Sequence, residues 1–225
     1  MSPHPIPVIA RTALRAQPLR RWARLVLLAG TCLGLGPALA RAQQPEPAKQ
    51  VIAGTVDEAF KILRDASLKS DRKVRLRKLR DVVDRAFDWE AMARSSLGPP
   101  WRELDEPQRR EFVSVFKESL AQRYMDDIDR FEGNEEVKVT GSDEQPDLAT
   151  VKTVLITSSR EQIPIDYTLH KPTGHWRVED VSIEGVSLVN HYRKTFARFL
   201  ANKTFAELLQ QLKRKLGMGG APPVP

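Results

Sequence analysis

The chain holds a single cysteine, Cys32, inside an N-terminal stretch with the marks of an export leader. Once that leader is removed no cysteine remains. This excludes a disulfide framework and a thiol nucleophile, and leaves stability to a packed core. Acidic residues are missing from the first 42 positions, whereas six of the 36 Lys plus Arg fall there. The rest of the chain then carries 30 basic against 29 acidic groups, and the formal charge drops from +7 to +1. Nucleic acid and an anionic surface lose their main support as partners. Histidine is scarce: His4 lies in the leader, which leaves His170, His175 and His191. No cysteine or carboxylate cluster at metal-ligand spacing accompanies them, and His170 and His175, flanking a turn, read as solvated. A Gly-rich phosphate loop, a nucleophile elbow, a nucleotide fingerprint and an internal repeat are all absent. The apolar run Leu25 to Leu35 is far short of the roughly 20 residues that span a bilayer as a helix.

Arg11, Arg15, Arg20, Arg21 and Arg24 precede that run, and Pro37-Ala38-Leu39-Ala40-Arg41-Ala42 sets small residues at cleavage spacing. Residues 1–42 therefore read as a Sec-type signal peptide. Acylation of Cys32 fits poorly, because Thr31 stands where Gly or Ala is usual. Residues 43–49 read as a flexible polar linker, 50–217 as one domain with a sizeable core, and 218–225 as a tail with nothing to pack.

Within the domain, Val51, Ile52, Val56, Phe60 and Leu63 recur at helical intervals over Gln50 to Ser67. A second helix, Arg72 to Phe87, has a solvated charged face. Asp88 caps a helix from Trp89 to Leu97, and Gly98-Pro99-Pro100 stops it. Asp105-Glu106-Pro107 then opens a long helix to Phe131, whose stripe of Phe112, Phe116, Leu120, Tyr124 and Ile128 makes it the candidate to lie across a sheet.

Beyond Gly133 the period changes to two. Val137 and Val139, then Val151, Thr153 and Leu155, alternate on either side of the turn-rich Gly141 to Asp147. Ile163, Ile165, Tyr167 and Leu169 share a face before the turn Lys171-Pro172-Thr173-Gly174. In the strand that follows, Trp176 and Val178 have one phase and Val181 and Ile183 the other, which predicts a bulge or bend near Asp180. Ser187 caps a further helix carrying Leu188, Val189, Tyr192, Phe196, Phe199 and Leu200, and a last helix runs from Phe205 to Leu216. The expected fold is α+β, a curved four-stranded antiparallel sheet packed with several helices. What covers the apolar face of that sheet decides between a filled core and a pocket.

The candidate chemistry is sparse. Asp166 and Asp180 lie within central strands, where a carboxylate could act as general base of a small enzyme with a cone-shaped pocket. The plainer account has Asp166 facing solvent and Asp180 serving the bulge, and a second polar group for catalysis is not evident. The aromatic stripe suits a filled core, as in an interaction module, or a ligand lining, since both share one composition.

The residues Phe87-Asp88-Trp89-Glu90-Ala91-Met92-Ala93, Leu97-Gly98 and Trp101, Phe112-Val113 to Tyr124, Ile163-Pro164-Ile165-Asp166-Tyr167, Trp176-Arg177-Val178 to Asp180-Val181, and Glu184-Gly185-Val186-Ser187-Leu188 to Tyr192-Arg193 occur in the order of the MlaC family. From about Val51 to Leu216 the chain resembles these proteins, also called toluene-tolerance proteins. The resemblance implies a periplasmic phospholipid carrier that shuttles lipid between an outer-membrane lipoprotein-porin complex and an inner-membrane Mla-type ABC transporter. Such a system maintains outer-membrane lipid asymmetry. It further implies no catalytic site and no cofactor, phospholipid being the cargo, and a deep apolar cavity with the head group near its mouth. Strand phase and helix stripe select the cavity-facing set for that fold. From the long helix come Phe116, Leu120 and Tyr124. The strands give Val151, Thr153, Leu155, Ile163, Ile165, Tyr167, Val181 and Ile183, and the segment after them gives Val186, Leu188 and Tyr192. Arg193, beside Tyr192, is the candidate for a lipid phosphate.

The exported protein is expected to begin near Gln43 and to be recovered in soluble form. N-terminal sequencing that finds Met1 retained, or a diacylated Cys32, counts against the leader.

Overall fold

The computed structural model describes residues 47–131 and 133–218, apart from the side chain of Asp126. The expected signal peptide, the linker up to residue 46 and the tail from residue 219 lie outside the described residues.

Each helix starts where a side chain can satisfy the free N–H groups of its first turn. Helix α1, Ala48–Arg64, follows Pro47, which offers no cap, and Glu144 supplies one from far along the chain, its Oε2 accepting from Ala48 N at 3.0 Å. Asp71 caps α2, Arg72–Ala86, and Asp88 caps α3, Trp89–Leu97, each accepting from the backbone N–H three residues on. Gly98 ends α3 at φ 73°, a conformation that favours glycine. Asp105 and Gln108 form a capping box at the head of α4, Glu106–Asp129.

Five antiparallel strands follow in sequence order: β1, Glu136–Glu144; β2, Leu148–Ile156; β3, Gln162–His170; β4, Arg177–Ile183; and β5, Val186–Ser187. The four expected strands are present. The fifth is a correction, and its length explains why alternation does not reveal it. Glu184 at φ 50° and Gly185 at φ 79° turn the chain in two residues, so Ile183 pairs with Val186 and Ser182 with Ser187. Strand β1 also runs through half of the expected turn region. Its register slips between Val139 and Gly141, and the polar residues beyond can remain in the ladder because β1 is an edge strand.

The predicted irregularity near Asp180 is a slip between β3 and β4: Thr168 faces Asp180 while Leu169 faces Val178, leaving Glu179 as the extra residue. The slip lets Val178 and Val181 both be buried. Asp180 then turns its carboxylate to the chain that follows. Oδ1 accepts from Val181 N at 2.8 Å and Val189 N at 3.1 Å, and Oδ2 accepts from the Ser187 hydroxyl. Ser187 in turn accepts from Asn190 N at 3.0 Å and caps α5, Leu188–Leu200, and α6, Phe205–Lys215, completes the described elements.

The helix that packs along β1 and β2 is α1, whereas α4 packs against α2, α3 and α6. This corrects the expectation for α4, and its stripe shows the cause. Phe112 and Phe116, in its first half, are fully buried in a helical core with Trp101, Phe196, Leu208 and Leu209. A second core joins α1 to the sheet through Ile52, Ala149, Val151, Leu169, Trp176 and Val178. Phe60, Leu63, Leu79 and Met125 form a third, smaller cluster among α1, α2 and α4.

Phe112 meets Trp101, Phe116, Phe196 and Phe205 with ring centroids 5.8 to 6.5 Å apart. Phe112→Ala is expected to cost about 3 to 5 kcal/mol, measured by chemical denaturation.

Candidate functional site: an apolar cavity between helix α4 and the sheet

The period of two in β3 puts Ile163, Ile165 and Tyr167 on one face, and the register sets Leu155 beside Ile163, Ile183 beside Ile165 and Val181 beside Tyr167. Opposite them, Leu120, Ala121, Tyr124, Met125 and Ile128 recur at helical spacing along the second half of α4. Between these two surfaces lies a cavity of about 550 Å³. The side walls come from Val56, Ala59, Phe60 and Leu63 of α1, Val83 of α2, and Phe87, Trp89 and Met92 at the turn into α3. Protein interiors hold few voids larger than a water molecule, and a space of this size among closely packed clusters has the dimensions of a ligand site.

The Phe87-Asp88-Trp89 elbow is held to the sheet by main-chain and side-chain bonds together. Asp88 N donates to Val178 O at 2.8 Å, Arg177 Nη2 donates to Phe87 O, and His170 Nε2 lies 2.9 Å from Asp88 Oδ2. His170 Nδ1 is also 3.6 Å from Glu179, so this histidine is partly buried between two carboxylates and not solvated as expected; His175 is exposed. Among the described residues no group of three or more His, Cys, Asp or Glu could hold a metal ion.

Polar side chains are few in the lining. Arg80, Asp84, Lys117 and Asp127 are all partly exposed and mark the rim, and Thr157 lies at the end of β2. Asp84 accepts from Trp89 Nε1 at 2.9 Å and pairs with Lys117, which joins α2 to α4 beside the cavity. Asp166 and Asp180 are not part of the lining. Asp166 has the opposite phase to Ile165 and Tyr167, and Asp180 is engaged at the start of α5.

Nine of the fifteen residues selected from the sequence line this cavity: Leu120, Tyr124, Leu155, Ile163, Ile165, Tyr167, Val181, Ile183 and Leu188. The other six lie elsewhere. Phe116 and Tyr192 pack on each other at 5.4 Å in the helical core, and Val151 lies in the core that α1 makes with the sheet. Thr153 is buried and donates its hydroxyl to Ile165 O at 2.8 Å, Val186 is 57% exposed, and Arg193 donates from Nε to Ser95 O at 2.7 Å. The walls from α1 and the elbow are absent from the sequence-based set. The Val56, Phe60 and Leu63 stripe carries the signal for α1, but a stripe does not say whether it meets protein or an open space.

Burial also leaves its mark on the tyrosines. Burial pushes the Tyr167 phenol up to about 12, with the Thr153 hydroxyl acting weakly the other way. Burial also raises Tyr124 and Tyr192. These are all three tyrosines of the chain.

The fold and the site define an α+β binding protein with an apolar cavity that opens through a charged rim. The sequence matches the model of the MlaC protein family over residues 53–214, and the chain belongs to that family. Its fold is similar to that of a phospholipid-binding protein from Ralstonia solanacearum solved in complex with a phospholipid. The two align with a TM-score of 0.70 at 19% identity over 76% of this chain and 98% of the other. No curated protein matches the chain significantly.

A raised phenol pKa means that the native state resists tyrosinate formation. For Tyr167 the contribution to stability is full below pH about 10 and is lost as pH rises toward 12. A titration followed by tyrosinate absorbance should show no tyrosine ionising at the ordinary value in the native protein, and all three doing so in denaturant. A tyrosine titrating near 10 without unfolding counts against this arrangement.

Proposed function

We propose that the protein is a periplasmic phospholipid carrier that shuttles lipid between outer-membrane and inner-membrane complexes of an Mla-type ABC transport system, and so helps maintain outer-membrane lipid asymmetry. The observation that carries this reading is the cavity of about 550 Å³ with apolar walls from α1, α4 and the sheet. Membership of the MlaC family supports it, as does a shared fold with a protein that holds a phospholipid. No helix among the described residues is long and apolar enough to cross a membrane.

The energetics favour capture. Each buried methylene contributes about 0.8 kcal/mol, so acyl chains in such a cavity supply the drive to leave a bilayer. That same drive opposes release. The carrier therefore needs partners, an inner-membrane transporter complex and an outer-membrane lipoprotein-porin complex, that open the cavity or accept the chains. The protein itself acts as a binder, with no catalytic residue and no cofactor beyond its cargo.

Native mass spectrometry of the gently purified, exported protein is expected to show bound phospholipid, and protein that arrives without lipid counts against the reading. Ile165→Asp puts a carboxylate on the cavity wall, where it should lower lipid occupancy more than it lowers thermal stability. Val178→Asp, at a position 0% exposed in the core, should cost several kcal/mol and unfold the domain. Equal loss of lipid and of stability in Ile165→Asp would argue that this wall is ordinary core.

A further inference from the structure

The charges beyond the leader nearly balance, but they are unevenly spread. Helix α2 alone carries seven Lys and Arg against Asp81 and Asp84. Arg72, Arg75, Arg80 and Arg85 meet Asp129, Glu118 or Glu58 on the neighbouring helices. Lys73 and Arg77 are exposed and form no ion pair among the described residues. At steps of four, three and four, Lys73, Arg77, Arg80 and Asp84 fall along one face of the helix, and the last two line the cavity. The two unpaired cations thus continue, turn by turn, the line that reaches the rim. Asp81 is the only exposed acid in the helix. The exposed large apolar residues of the described chain are Val139, Leu148, Val186 and Met218, none of them on α2. A face without an apolar or aromatic anchor lacks the core of a protein interface, where aromatic residues are enriched and Lys is depleted. It also lacks the apolar side by which an amphipathic helix sinks into a bilayer. What it offers is a positive field that acts at a distance on a surface of opposite sign.

We propose that the face of α2 that carries Lys73 and Arg77 is an electrostatic docking surface for an anionic phospholipid bilayer, which it brings up beside the rim of the cavity. This rests on the carrier reading above and names the surface by which the carrier meets its source of lipid. The contact needs no insertion. Cations near an anionic surface are attracted within about a Debye length, ~10 Å at 0.1 M salt, and the attraction is screened as salt rises. Such a contact is weak and reversible, as suits a carrier that has to leave the membrane again.

The test compares the exported protein with two double variants. One joins Lys73→Gln to Arg77→Gln, and the other joins Lys194→Gln to Arg198→Gln on the exposed side of α5, outside the cavity lining. Binding is read by flotation with vesicles of phosphatidylcholine alone or mixed with an equal amount of phosphatidylglycerol, and by gel filtration with polyglutamate. The unaltered protein should bind the mixed vesicles at ~0.1 M salt, release them at ~1 M, and ignore phosphatidylcholine. The α2 variant should bind about 25-fold more weakly, about fivefold for each charge removed, while the α5 variant stays close to the original. Thermal melts should match in all three proteins. Equal loss in the two variants overturns the proposal, since net charge alone would then govern binding. Binding that survives high salt overturns it too, in favour of an apolar contact, and so does binding of polyglutamate without the mixed vesicles, in favour of an acidic protein partner. Native mass spectrometry of the same samples separates this proposal from the carrier reading. Lipid-loaded protein that ignores the mixed vesicles rejects the docking surface alone, whereas protein that docks through Lys73 and Arg77 but never holds lipid leaves the surface standing and rejects the carrier reading.

Discussion

An apolar sheet face that is only partly covered by helices is the constraint on which the rest of the structure depends. Helix α1 covers the face over Ala149, Val151 and Leu169, and there the packing is complete. Farther along the same strands Leu155, Ile163, Ile165 and Ile183 face an open space, since α4 is held off by its own attachment to α3 and α6. The cavity is the distance between where α4 is anchored and where the sheet lies. Its depth therefore depends on the helical core around Phe112 and Phe116, neither of which lines the cavity.

Much of this was legible in the sequence, and the legible part has a common physical origin. Helix starts carry their own signals, so Asp88, Asp105 and Ser187 could be placed as caps to the residue, and a period of two assigned β3 and its cavity-facing side. The slip opposite Asp180 announced itself because Val178 and Val181 are out of phase. The less legible part concerns which apolar surfaces meet. The stripe of α4 reads as one continuous face, yet Phe116 belongs to the helical core and Leu120 to the cavity, one turn apart. Nothing local to those residues separates them. The same holds for Tyr192, whose aromatic ring suits a cavity but packs on Phe116, and for β5, which is too short to carry a period at all.

The rim differs in character from the walls. Helix α2 meets α4 through ion pairs as well as apolar contacts: Arg72 and Arg75 both reach Asp129, Arg80 reaches Glu118, and Lys117 reaches Asp84. The part-exposed pairs of Arg80 and Lys117 contribute little net stability, typically about 0 to 1 kcal/mol each, whereas Asp129 is only 8% exposed where Arg72 and Arg75 meet it. Around Arg80 and Lys117 the seam is thus polar and partly solvated, while the opposite side of the cavity is backed by the continuous ladder of the sheet.

The cap on α1 bears on the order in which the chain takes shape. Pro47 has no side chain that can cap that helix, and the side chain that does, Glu144, stands 96 residues later on the edge strand. Closing a loop of that length has an entropic cost that local contacts in α1 do not offset, and contacts so distant in sequence form slowly. The first helix in the described chain is therefore among the last to be secured. Until β1 has paired with β2 and brought Glu144 into place, the helix that walls one side of the cavity has an uncapped beginning, so the compartment is finished only when the edge of the sheet is.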